Sequence, residues 1–141
     1  MSLGEDLYKD VILDHAGSPR CRGTLEHPTH RHLGLNPLCG DEVELQFVVR
    51  DGVIEQVRFQ GEGCSISQAS ASMFAQEVQG KTVEQLRHLT DVFRTWMRDR
   101  VSGEVPEELG DLEALAGVKR YPARVKCALL AWTTAEEALR A

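Results

Sequence analysis

The sequence offers no closely spaced pair of cysteines. Its four cysteines stand at 21, 39, 64 and 127, too far apart for any C-x-x-C finger. Long apolar runs are also missing: nothing approaches the roughly 18 consecutive apolar residues that cross a bilayer, so no membrane association is expected. The opening MSLGEDLYKD lacks the basic start and apolar run of a secretory signal, and the expected location is cytoplasmic. In that compartment cysteines serve as thiols or metal ligands rather than disulfides. Positive charge is scarce, with 16 Lys and Arg against 22 Asp and Glu for a formal charge of -6. Phosphate-backbone binders usually display a net basic face, which argues against nucleic acid as a partner. There is no internal repeat or low-complexity tract.

What remains is a chain of 141 residues with 42% hydrophobic content, enough to bury a core without covalent staples. It reads as a single domain over residues 1–141. Ser2 and Glu5 have the S-x-x-E form of a capping box. Leu7, Val11, Ile12 and His15 then follow at helical spacing, and this helix ends near Gly17-Ser18-Pro19. From Arg20 to Pro37, glycines and prolines interrupt every pattern and leave irregular chain with one short strand. Val43, Leu45, Phe47 and Val49 alternate with Glu44, Gln46 and Arg50, the period of a strand with one buried face. Asp51-Gly52 marks a tight hairpin, and VIEQVRF returns antiparallel.

A helix follows from Ser65, capped by Ser65 or Ser67 and stopped by Gly80. Thr82 and Gln85 repeat the capping-box form and open another helix, with a break expected near Thr90-Asp91. Short helical pieces fill residues 102–122, and Pro122 suits the first turn of a last helix. Strands first and helices after, without alternation, make the fold class α+β.

Three cysteines fall at element boundaries: Cys39 before the first long strand, Cys64 between the returning strand and its helix, and Cys127 near the start of the last helix. A hairpin brings its own ends together. Counting outward from the Asp51-Gly52 turn sets Gly40 or Asp41 opposite Gly61 to Gly63, so Cys39 and Cys64 become neighbours. Unpaired N–H groups at a helix N-terminus favour a thiolate, and both Cys64 and Cys127 read as lying near one. With the carboxylate of Asp41, the set Cys39, Asp41, Cys64 and Cys127 supplies four anionic ligands, which suits tetrahedral zinc or an iron–sulfur cluster. Three thiolates and a carboxylate around a divalent ion leave a net charge of about -2, so a nearby cation is expected; Arg124 and Lys126 are at hand. The competing reading is inert packing, because free cysteine is among the most buried residue types. That reading is kept for Cys21, and His27, His30 and His32 are read as surface loop.

Taken together, LYKDVILDH, NPLCGDEVEL, GEGCSISQASASM and RVKCALLAW resemble the SufU branch of the IscU/NifU-N family of iron–sulfur cluster assembly proteins. The resemblance runs from Leu7 to Trp132. It implies a three-stranded antiparallel sheet packed with helices, and a metal held by Cys39, Asp41, Cys64 and Cys127. The cofactor implied is zinc. The implied activity is acceptance of persulfide sulfur on Cys39 from a cysteine desulfurase of the SufS type. By its charge and its place beside Cys127, Lys126 is expected to offset the site's negative charge or steer the persulfide, against the competing reading of a solvated helix-face lysine. Sulfur would then pass to a downstream iron–sulfur scaffold or to apo-proteins. The alternative is a scaffold that assembles and transfers a transient 2Fe-2S cluster on the same four residues, Cys39, Asp41, Cys64 and Cys127, the three cysteines binding the cluster; the first reading is sulfurtransferase-type chemistry and the second is not enzymatic.

Three features resemble the SufU branch more than IscU: Lys126 stands where IscU scaffolds carry histidine, residues 91–121 look like the SufU insertion, and the LPPVK motif is absent. Two positions depart from the pattern. Ala16 replaces an aromatic, and Cys21 stands where asparagine is common after Pro-Arg.

Overall fold

The structure is a computed structural model and describes residues 3–38, 40–99 and 104–140. Ser2 of the expected first capping box and Cys39 lie outside the described residues. The chain opens with helix α1 (Leu3–Gly17), then lays down β1 (His30–Asn36), β2 (Asp41–Arg50) and β3 (Val53–Glu62). Helices α2 (Ser65–Val78) and α3 (Val83–Arg98) follow, then a 3-10 segment (Glu107–Arg120) interrupted at Gly110, and finally α4 (Pro122–Ala138). The three strands form one antiparallel sheet in the order β1-β2-β3. The expected α+β class and three-stranded sheet are both observed.

The hairpin turns at Asp51 and Gly52, both with positive φ (53° and 76°), as the turn that matches strand twist requires. An irregularity between Val48 and Val49 shifts the register by one residue, so Glu42 faces Glu62 and Val43 faces Gly61. Val43, Leu45, Phe47, Val57 and Phe59 point into the core, fully buried. There Phe74 of α2 and Phe93 of α3 flank Trp132 of α4, with ring centroids 4.8 and 4.9 Å away. Such tilted and edge-on pairs add to the stabilisation from area burial alone.

Several local expectations need correction. Gln46 was expected to face water, yet it is 5% exposed. The segment between α1 and β1 crosses that face of the sheet: Leu25 N–H donates to Gln46 Oε1 (2.7 Å), and Gly23 N–H donates to the Phe59 carbonyl at the β3 edge (2.9 Å). No break occurs at Thr90-Asp91. Helix α3 is continuous, and the Thr90 hydroxyl donates to the Leu86 carbonyl one turn back (2.8 Å), a bond that tolerates threonine inside a helix. The second capping box is present, Gln85 N–H on Thr82 Oγ1 at 3.0 Å and Thr82 N–H on Gln85 Oε1 at 2.9 Å. His30 and His32 belong to β1 rather than to a loop. His15 is a buried structural histidine, with Nδ1 2.8 Å from Ser72 Oγ and Nε2 3.3 Å from Asp111 Oδ2. Among the described residues, no helix is long and apolar enough to cross a membrane.

Candidate metal centre

Three elements deliver side chains to one end of the sheet. Asp41 opens β2, Cys64 is the N-cap residue of α2, and Cys127 is the sixth residue of α4. One ligand atom from each lies within 4.8 Å of the other two. Among the described residues, no other group of three His, Cys, Asp or Glu side chains gathers in this way; His27, His30 and His32 do not. Two sulfurs at about 2.3 Å from one tetrahedral ion stand about 3.8 Å apart. The spacing found is therefore close to what an ion would draw in, and a set of two sulfurs and a carboxylate oxygen is one that zinc accepts.

The start of α2 shows how the site is held ready. Its N-cap is a cysteine, whose side chain makes no capping bond. Asp41 takes over part of that task from another element: its Oδ1 accepts the Cys64 N–H at 2.8 Å, and its Oδ2 lies 3.9 Å from Cys64 Sγ. A charge-assisted bond of this kind anchors the carboxylate and places negative charge at the helix N-terminus, where it is stabilising. Ser67 closes the turn by donating its hydroxyl to the Cys64 carbonyl (3.0 Å). Gly63 is the residue that admits the carboxylate. A Cβ there would stand 2.2 Å from Asp41 Oδ1 and 2.8 Å from Ser67 Oγ.

Cys127 is almost fully buried and sits beyond the first turn of α4. The expected proximity to a helix N-terminus therefore holds for Cys64 and not for Cys127, since the terminal effect falls off within one turn. Besides Asp41 and Cys64, the Cys127 sulfur meets the Ala123 carbonyl, which it back-bonds at 3.7 Å, and the side-chain amide of Asn36, with Nδ2 at 3.7 Å. Arg124 and Lys126 are exposed on α4, at the end of the helix that carries the site.

Cys21 lies elsewhere. It is half-buried, its Sγ lies 3.9 Å from Gln79 Oε1, and its carbonyl accepts the Phe59 N–H (3.0 Å). Its φ of 61° is in the left-handed region, where asparagine is enriched. That accounts for the residue type common at this position.

The NifU-like N terminal domain family matches residues 7–128 of the chain. The chain belongs to this family. Over 133 residues it is 40% identical to the zinc-dependent sulfurtransferase SufU of Bacillus subtilis, covering 94% of this chain and 89% of that protein. It is equally 40% identical, over 134 residues, to the iron-sulfur cluster assembly scaffold protein IscU of Thermotoga maritima, covering 95% and 93%. A crystal structure from Fervidobacterium islandicum AW-1, assigned as an iron–sulfur cluster assembly scaffold for the SUF system, superposes with a TM-score of 0.85 at 33% identity, over 96% of this chain and 98% of that one. The first two relatives share the family and carry different activities in their names.

The sequence singled out the three residues that the structure brings together. It gave Asn36 and Gly63 no part in the site, although both lie in the motifs quoted for it. Their signal is steric and depends on which neighbour each meets, which no spacing rule reads.

Proposed function

We propose that this NifU-like chain is an iron–sulfur cluster assembly protein that accepts sulfur from a cysteine desulfurase at a zinc-bound thiolate site. The observation that carries the reading is the convergence of Asp41, Cys64 and Cys127 within 4.8 Å, Asp41 opening the strand that begins two residues after Cys39. Cys39 completes the ligand set as the sulfur-accepting thiolate. When bound, zinc supplies charge that keeps its cysteine ligands deprotonated at neutral pH.

The remaining steps belong to the chain. Asp41, held by the Cys64 N–H, supplies an oxygen ligand among sulfurs, and such a hard ligand is the weaker anchor on a borderline-soft ion. The Cys39 thiolate attacks the outer sulfur of the desulfurase persulfide, a new S–S bond forms on Cys39, and the desulfurase thiolate leaves. Lys126, exposed beside Cys127, offsets the negative charge of the ligand set and draws in the anionic persulfide. The partner is a desulfurase of the SufS type, and sulfur passes on to a scaffold or to apo-proteins. The exposed Lys126 and the long connection from α3 to α4 favour this reading over the IscU type. A cytoplasmic location fits the chemistry, since thiols stay reduced there.

The second reading, favoured by the Thermotoga relative, assembles a transient 2Fe-2S cluster on the same residues, Cys39, Asp41, Cys64 and Cys127. Thiolate-rich sites accept both. The experiment follows alanine release by a SufS-type desulfurase with zinc-loaded wild-type protein, the metal-free form and Cys39→Ser. Stimulation seen only with the zinc-loaded wild type supports the sulfur acceptor. No stimulation, together with visible absorbance on iron and sulfide reconstitution that moves to an apo-acceptor, supports the scaffold instead.

A further inference from the structure

We propose that Asn36 is a positioning residue of this metal centre, its side-chain amide donating an N–H···S hydrogen bond to the Cys127 sulfur. The inference rests on the metal-centre reading and adds a residue that supplies no ligand. Asn36 is 7% exposed, and a buried amide spends its hydrogen-bonding groups on specific partners. Its Nδ2 lies 3.7 Å from Cys127 Sγ. A metal-bound thiolate can only accept, so the amide must present its N–H to the sulfur.

The placement is built by two successive contacts of β1 along α4. Gly34 and Asn36 lie two residues apart, on the same face of the strand. A Cβ on Gly34 would stand 1.8 Å from Thr134 Oγ1, so the strand approaches the helix closely there. Two residues further along the strand, Asn36 meets Cys127, two helical turns before Thr134. In the ladder, Asn36 also pairs with Asp41. One residue therefore links the end of β1 and the start of β2 to the sulfur on α4.

The chemistry explains why an amide stands there. Three thiolates and a carboxylate overload a divalent ion with negative charge, and Cys127 is 1% exposed, so water compensates little. An amide N–H draws electron density from the sulfur without adding a full charge that would itself need burial. Hydrogen bonds to ligating sulfurs tune the metal in this way, and loss of such an outer partner typically costs about 10–100-fold in metal affinity.

The test uses cobalt(II) in place of zinc in the full chain, which makes the thiolate-to-metal charge-transfer absorption visible, with zinc affinity measured by chelator competition. Asn36→Leu keeps similar volume and removes the donor. Asn36→Asp keeps the shape and turns a carboxylate on the sulfur, and it serves if the leucine variant does not fold. In either variant the charge-transfer band is expected to move to longer wavelength, and zinc affinity to fall by about 10-fold or more, further for Asp than for Leu. A band that stays in place in a variant still binding one ion overturns the inference, even if thermal stability drops, because that is the outcome of a packing role alone. Failure of the wild-type chain to bind one cobalt or zinc ion overturns the metal-centre reading, and this inference with it.

Discussion

Gly63→Ala tests how the site is pre-formed, because the added methyl has one main obstacle. It would stand 2.2 Å from Asp41 Oδ1, so the carboxylate must swing away and the Cys64 N–H loses its 2.8 Å acceptor. A hydrogen bond to a charged group contributes about 1.5–3 kcal/mol. The backbone, at φ 154°, adds a separate cost of about 1–3 kcal/mol for a residue with a side chain. Removing the carboxylate first, with Asp41→Ala, already forfeits the hydrogen bond and clears the space, leaving only the backbone cost and the contact with the Ser67 hydroxyl, which can rotate. The two substitutions should therefore couple by about 1.5–3 kcal/mol in a double-mutant cycle. Urea unfolding of the four metal-free proteins reads this out. With a slope of about 1.5 kcal/mol per molar, typical of a domain this size, the double variant should unfold about 1–2 M later than additivity requires. Additivity within about 0.5 kcal/mol would refute the claim that Gly63 exists to admit the Asp41 carboxylate.

Gly34→Ala pushes β1 off Thr134 and should destabilise the chain by about 1–3 kcal/mol; Thr134→Ala, which removes the opposing hydroxyl, should recover most of that loss in thermal or urea unfolding. Asp14→Asn should matter only away from acid. Arg20, donating to Asp14 Oδ2 at 2.7 Å, lowers the carboxyl below its ordinary value of 3.8. The stabilisation is thus present above that value and lost as pH falls through the lowered one. Wild type and Asp14→Asn should differ slightly at neutral pH and converge in strong acid, and a gap that widens on acidification would contradict the assignment. Cys21→Asn, at φ 61°, should be neutral or stabilising by up to about 1 kcal/mol and leave zinc stoichiometry unchanged; loss of bound zinc would give Cys21 a role the geometry does not.

Much of this architecture was legible because its signals are local. Asp51-Gly52 could only turn tightly, Thr82 and Gln85 capped a helix as their spacing implied, and Pro122 began one. From the hairpin alone, Asp41 had to come near Cys64. The misreadings share a cause, which is contact with a distant segment. Gln46 looked solvent-facing by alternation, but Leu25 comes from 21 residues away to cover it. Cys64 caps α2 in place of either serine because Asp41 supplies the acceptor from another strand. Asn36 falls in the stretch before Pro37 that reads as irregular chain, and its meeting with Cys127 depends on how β1 lies on α4. That packing leaves no periodic trace in the sequence, except for the glycine that permits it.

The proposed function stands on sulfur acceptance by Cys39 at a site whose other ligands are Asp41, Cys64 and Cys127. Mass spectrometry of the zinc-loaded chain after incubation with cysteine and a SufS-type desulfurase, followed by peptide mapping, addresses it most directly. The peptide containing Cys39 should gain the mass of one sulfur atom, a gain absent from Cys39→Ala. An unmodified Cys39 in a chain that binds zinc and docks the desulfurase would contradict it.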